Sequence, residues 1–197
     1  MLGARLVPLL LAAGHDVAGM TRSPSKIDAL ERLGARAVCC DVFDLAALQR
    51  AVSDYAPDAV IHQLTDLPDD PRLIEGGLAA NARVREVGTA NLVDATRVAG
   101  ATRLIVQSIA WLINGSRPPS VVELERITLD AGGIVVRYGQ WYGPGTYHQG
   151  DPPPEPRVHI DTAAHRTVAA LELTSGVYVA TDDRLAPAVG DGPPSST

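Results

Sequence analysis

The sequence predicts an α/β domain built on a doubly wound parallel sheet. Three observations carry this. Apolar runs of strand length at residues 17–20, 37–40, 58–62, 103–107 and 134–137 alternate with stretches whose apolar residues recur every three or four positions. The runs are near-continuous rather than alternating, as in strands covered on both faces. Glycine or proline punctuates many of the junctions. Right-handed crossovers between parallel strands then favour helices on both faces of one open sheet.

The elements follow in order. Leu2, Leu6, Leu9, Leu10 and Ala13 form a helical stripe, and Gly14 lies just past its last turn. Val17 to Met20 is a strand. Thr21-Arg22-Ser23-Pro24 is a turn, and Pro24 and Ser25 open a helix that carries Ile27, Leu30 and Leu33 and ends at Gly34. Ala37 to Cys40 is a strand ending at Asp41, and Leu45, Leu48 and Val52 mark the next helix. Asp58 to His62 is a strand. After a Pro/Asp-rich loop, Leu78 to Ala99 reads as one long helix. Arg103 to Gln107 is a strand, Val121 to Leu129 a helix, and Ile134 to Arg137 a strand. Tyr138 to Arg157 reads as a Gly/Pro-rich loop, Asp161 as the cap of a helix to Leu171, and Val177 to Ala180 as a last strand. Residues 186–197, rich in Pro, Gly and Ser, are expected to be a disordered tail, leaving one domain over 1–185.

Composition narrows the function. Hydrophobic residues make up 46% and charged residues 20%, as in an ordinary globular domain. The net charge of −6 argues against nucleic acid as a main partner. No apolar run reaches the ~18 residues of a membrane span, and Met1 to Ala13 reads as a core helix rather than a leader. Cys39 and Cys40 are adjacent in an apolar run, which suits packing in a reducing cytoplasm better than a disulfide. Lys26 is the only lysine in the chain. A small molecule is the expected partner, and a homodimer is compatible with the sequence.

Several segments then carry a resemblance. They are Met1-Leu2-Gly3-Ala4-Arg5 opening a helix, Asp41-Val42 after a strand, Gly88-Thr89-Ala90-Asn91-Leu92, Gln107-Ser108-Ile109-Ala110, Arg137-Tyr138-Gly139 with Tyr142-Gly143-Pro144-Gly145, and Val158-His159-Ile160-Asp161. In this order and spacing they resemble the NAD-dependent epimerase/dehydratase family, the extended and atypical short-chain dehydrogenases. The resemblance covers residues 1 to about 183. It implies a Rossmann-like domain, an NAD(P) cofactor and a small-molecule substrate such as a nucleotide sugar or a related carbonyl or alcohol. Gly3 would be the third glycine of the phosphate-binding turn. Asp41 would approach the adenine, and Ser108 would orient a substrate oxygen.

The chain also departs from that pattern. The family's first strand and the first glycines of its phosphate-binding turn are not in this sequence. The strands at 17–20 and 58–62 would flank that strand, so they must re-pair, borrow a strand or destabilise the chain. Two origins stay open: a start at Met1, or an internal methionine of a longer protein. Cofactor binding is expected to be weakened. Family catalysis also rests on a YxxxK pair, yet Ala110 to Ile134 contains neither Tyr nor Lys. Arg117 and Val121 fall roughly where those residues would lie. The late substrate-binding portion is expected to be reduced, because little follows Asp183.

The candidate site residues are few. Arg22 with Thr21 and Ser23 favours the 2′-phosphate of NADP over NAD, against a solvated turn arginine. Asp41 either contacts adenine or caps the helix at Leu45. Gln63, beside His62, is assigned to the cofactor. Ser108 and Tyr142 are the candidates to polarise a substrate oxygen. His62 is the nearby group expected to titrate near neutrality. Tyr138, Trp141 and Tyr147 share the loop with Tyr142. His148, His159, Asp161 and His165 lack the spacing of a helical metal site, so no metal is expected. Three functions remain: an atypical NAD(P)-linked enzyme not using ordinary Tyr/Lys hydride transfer, a cofactor-independent isomerase, dehydratase or cyclase, and a non-catalytic binding protein.

Overall fold

In the computed structural model, which describes residues 1–189, every expected strand forms, but the strands do not make one sheet. The elements run α1 (Gly3–Ala12), β1 (Ala18–Thr21), α2 (Ile27–Arg32), β2 (Arg36–Cys39), α3 (Leu45–Tyr55), β3 (Ala59–His62), α4 (Ile74–Arg83), α5 (Thr89–Val98), β4 (Arg103–Ile109), α6 (Pro119–Asp130), β5 (Ile134–Tyr138), β6 (Gln140–Tyr142), β7 (Arg157–His159), α7 (Ile160–Ala169), β8 (Gly176–Ala180) and β9 (Leu185–Pro187). β1 and β2 pair in parallel as one sheet, and β3-β4-β5-β8-β9 form a second, parallel except for β9. The five predicted parallel segments are thus confirmed, with a seam between β1 and β3.

Burial shows the effect of the seam. Every residue of β5 is buried, whereas every residue of β1 is only partly buried. Side chains join the halves where no backbone ladder does. On one face, Leu6 and Leu10 of α1 share an apolar cluster with Val17, Ile61 and Ile105. On the other, Leu48, Leu92 and Ala95 pack with Met20 and Val38 from one sheet and Val60 from the other. A fully buried side chain of this kind contributes about 1.5–3 kcal/mol. The partly exposed edges of β1 leave their unpaired backbone groups within reach of water, which lowers the cost of the missing ladder.

Local chemistry explains most boundaries and several corrections. Gly14 and Gly34 end their helices at φ +88° and +90°, which a side chain would disfavour. Asp44, not Asp41, caps α3 by accepting from the Ala47 N–H at 3.0 Å. Asp41 makes its own turn, accepting from the Phe43 N–H at 3.0 Å. His159, not Asp161, caps α7. The long helix begins at Ile74 and is broken by a π turn, Val84–Gly88, where a Cβ on Gly88 would lie 3.2 Å from Val42 Cγ1.

The 138–157 segment is not simply a loop. Gln140–Tyr142 pairs in parallel with Arg157–His159. Gly139 permits this, because a Cβ there would sit 2.6 Å from the Arg157 backbone. Leu185–Pro187 adds an antiparallel edge strand to β8, so the tail does not start at 186, and residues 190–197 lie outside the described part. Cys39 is exposed and Cys40 buried, and both are free thiols. No helix among the described residues is long and apolar enough to cross a membrane.

Candidate functional site

Parallel strands bring their C-terminal ends to one side, where open α/β sheets bind ligands. Arg22, Asp41, Gln63 and Ser108 all lie at or just past such ends, as do Tyr138 and Asp182. A cavity of about 600 Å³ opens beside the ends of β4 and β8, lined by Ala110, Glu155, Pro156, Thr181, Asp183 and Arg184.

The expected acid/base residues are committed elsewhere. His62 is 2% exposed. Its Nδ1 accepts the Leu64 N–H at 3.1 Å, so Nε2 carries the proton and donates to Thr89 Oγ1 at 3.0 Å. Burial pushes its pKa down to about 4, so it is a neutral core histidine and not the group titrating near neutrality that the sequence suggests. Ser108 is buried, and its hydroxyl donates to Glu125 Oε1 at 2.5 Å, turned into the α6 layer rather than toward a substrate. Tyr142 donates to Asp182 Oδ2 at 2.9 Å and stands edge-on to His159, with ring centroids 5.1 Å apart. That carboxylate holds the Tyr142 phenol above its ordinary pKa, which weakens it as an acid near neutrality. Tyr138 is pushed up to about 12 by burial.

Positions 117 and 121, roughly where the sequence places the family's Tyr and Lys, are both engaged. Arg117 donates to the Ile109 carbonyl at 2.8 Å, and Val121 is buried in the core at 1% exposure. Glu125, one turn further on, accepts Arg137 and Ser108 in a buried polar knot.

The cofactor candidates fare differently. Arg22 is bound through both terminal nitrogens to Asp66, at 3.1 and 2.5 Å. Asp41 keeps its carboxylate at the surface while one oxygen serves its turn. Gly3 sits in open space, where a Cβ would meet nothing within 4 Å. α1 begins with no side-chain cap and no acid of its own in its first turn, and its Arg5 pairs with Asp161 of α7. Gln63 lies near the Tyr138 hydroxyl, yet neither its Nε2 nor its Oε1 completes a hydrogen bond. Gln107 Oε1 and Trp141 Nε1 are likewise buried without partners among the described residues. Buried orphan amide atoms are costly in a finished core and are what ribose hydroxyls or a carboxamide would satisfy. The donor set therefore fits a dinucleotide.

Nothing in the sequence singles out Asp66, Asp182 or Arg85. The first two are ordinary loop acids in sequence, and only the fold brings them to Arg22 and Tyr142. Arg85 lies in the π turn, half-buried, with no hydrogen-bond or ion-pair partner among the described residues, and burial lowers its pKa. The helical metal candidates come to nothing: no group of three or more His, Cys, Asp or Glu side chains among the described residues could hold an ion. His159 Nδ1 instead accepts the Asp161 N–H at 3.3 Å, and Asp161 pairs with Arg5 at 2.6 Å.

A parallel-stranded α/β fold with unsatisfied amides at its strand ends suits a nucleotide cofactor. The chain belongs to the NAD(P)H-binding family, whose model matches residues 1–128. It is 36% identical over 234 aligned positions to the 3-diazoavenalumate denitrifying reductase of a Streptomyces species, covering 95% of this chain and 75% of that protein. Its fold is similar to UDP-glucose 4-epimerases. The enzyme of Thermus thermophilus, in complex with NAD, superposes with a TM-score of 0.73 at 18% identity, over 95% of this chain and 76% of that one. The Thermotoga maritima enzyme, with UDP-glucose, gives 0.74 at 16% identity, over 95% and 75%. The Rossmann-like fold and the NAD(P)-binding family expected from the sequence are therefore correct.

Proposed function

We propose that this protein is an NADPH-linked reductase of a small, electron-poor molecule, and that a diazo compound is the substrate class. One observation carries the reading: the strand ends hold unsatisfied amides suited to a dinucleotide, while among the described residues Tyr142, the phenol the sequence offers there, is tied to Asp182. Arg117 and Val121 replace the phenol and ammonium. A ketone reduced to an alkoxide needs a positioned acid, worth about 10²–10⁴ in rate. A diazonium group does not. It is already cationic, so hydride added to its terminal nitrogen gives a neutral diazene; the C–N bond then breaks, N2 leaves, and the N–H hydrogen ends on the carbon, with no protein acid consumed. The name of the Streptomyces relative, a denitrifying reductase of a diazo compound, supports the same chemistry.

The cofactor supplies hydride when bound. The α1 N-terminus would hold its pyrophosphate, Arg22 its ribose phosphate, and Gln63 and Gln107 its polar edges. The preference for NADPH rests on Arg22. Binding is weak, because the seam leaves the floor of the site without a backbone ladder.

The test is consumption of NADPH by the purified protein with an aryl diazonium salt, a ketone and a nucleotide sugar, each against a protein-free blank. Protein-dependent turnover and nitrogen release with the diazonium alone are expected. Epimerisation of the sugar, or ketone reduction at a similar rate, would overturn the reading.

A further inference from the structure

Arg22 and Asp66 stand on opposite sides of the seam. Arg22 directly follows β1, in the two-stranded sheet, and Asp66 lies just beyond β3, in the five-stranded one. Their two hydrogen bonds, 3.1 and 2.5 Å, form a fork-to-fork pair across the mouth of the crevice. The segment bearing Asp66 is pinned in place. Its backbone N–H donates to Asn81 Oδ1 at 3.0 Å, and Asn81 is 2% exposed. Two residues on, the Pro68 carbonyl accepts the Tyr147 hydroxyl. The Pro68 ring also lies on Gly77, where a Cβ would come within 2.8 Å of it. Residues 63–70 thus form a strap, and the Arg22 guanidinium at its edge stays reachable, with its side chain 54% exposed.

We propose that Asp66 is an internal stand-in for a ligand phosphate: it occupies Arg22 until the 2′-phosphate of NADPH displaces it and frees the strap. This rests on Arg22 as the ribose-phosphate reader. The guanidinium fork accepts a carboxylate or a phosphate in the same geometry, so the exchange trades like for like. The phosphate brings about −1.5 to −2 charges and three acceptor oxygens against the single charge of Asp66. A ribose 2′-hydroxyl has no charge to offer and leaves the strap closed. Asp66 therefore costs NADPH and not NADH: it moderates the preference that Arg22 gives and keeps the strap closed until a phosphate arrives.

Calorimetry with NADPH, NADH and adenosine 2′,5′-bisphosphate on the full chain tests this in the native protein, Asp66→Asn and Asp66→Asn/Arg22→Ala. Asp66→Asn keeps the backbone N–H on Asn81. We expect it to bind NADPH and the bisphosphate about two- to fivefold more tightly, the range of one exposed ion pair. NADH binding should not change, and Arg22→Ala should erase the gain. If NADPH and NADH both bind and Asp66→Asn alters neither, or both equally, the stand-in is overturned while the cofactor reading survives. If only the bisphosphate binds and it tightens in Asp66→Asn, the stand-in holds and the cofactor reading fails. Failure of all three ligands on all proteins overturns both.

Discussion

Glu125 receives Arg137 on both carboxylate oxygens, at 2.8 and 2.6 Å, with neither side chain more than 7% exposed. The pair ties the middle of α6 to β5, and Ser108 adds a third tie from β4. Removing one partner strands a buried charge, so Glu125→Ala should lose about 3–5 kcal/mol of stability. Glu125→Leu combined with Arg137→Met should lose far less. Urea unfolding of the variants measures both, and equal losses would show that the charges themselves matter little.

His62 predicts an acid limb in stability. Its folded pKa, about 4, lies below the ordinary 6.5. The unfolded state therefore binds the extra proton first. The stability that neutral His62 gives is complete above pH 6.5 and is lost as pH falls from there toward 4. The full loss is about 3 kcal/mol. Urea midpoints measured from about pH 7 down to about pH 4 should fall with this slope, and His62→Gln should flatten it.

Tyr142→Phe should leave turnover within about twofold, because the hydroxyl is engaged by Asp182 rather than offered to substrate. Its cost is one hydrogen bond, about 1 kcal/mol of stability. A rate loss of about 10² or more at unchanged stability would return Tyr142 to the role the sequence suggests, polarising a substrate oxygen.

Arg85 is half-buried without a partner among the described residues, so it should be a liability for folding. Arg85→Met should raise stability by about 0.5–1 kcal/mol, as a removed misfit does. A drop in melting temperature would show that its charge is compensated.

What depends on local pattern is legible in the sequence. Helix stripes such as Leu2, Leu6 and Leu10, the glycines after them, and the apolar strands all carry periodic or positional signals, and all of them form as expected. What is not legible depends on partners distant in sequence. Ser108 and Glu125 are 17 residues apart, Tyr142 and Asp182 are 40 apart, and Arg22 and Asp66 are 44 apart. No spacing rule links such pairs, so a serine at a strand end and a tyrosine in a loop each look free when taken alone. His62 misleads for the same reason, since its state is decided by Thr89 on another element.

The seam has a thermal consequence. A hydrogen-bonded ladder would hold its neighbours together in the cold, but oily contacts such as Leu48 with Met20 and Val60 draw their strength from water and lose it on chilling. The β1–β2 leaf is therefore the part of the molecule that should loosen first near freezing. It would peel away while β4 and β5 stay closed, and the exchange of Ala18–Thr21 amides in cooled solution would record the page turning.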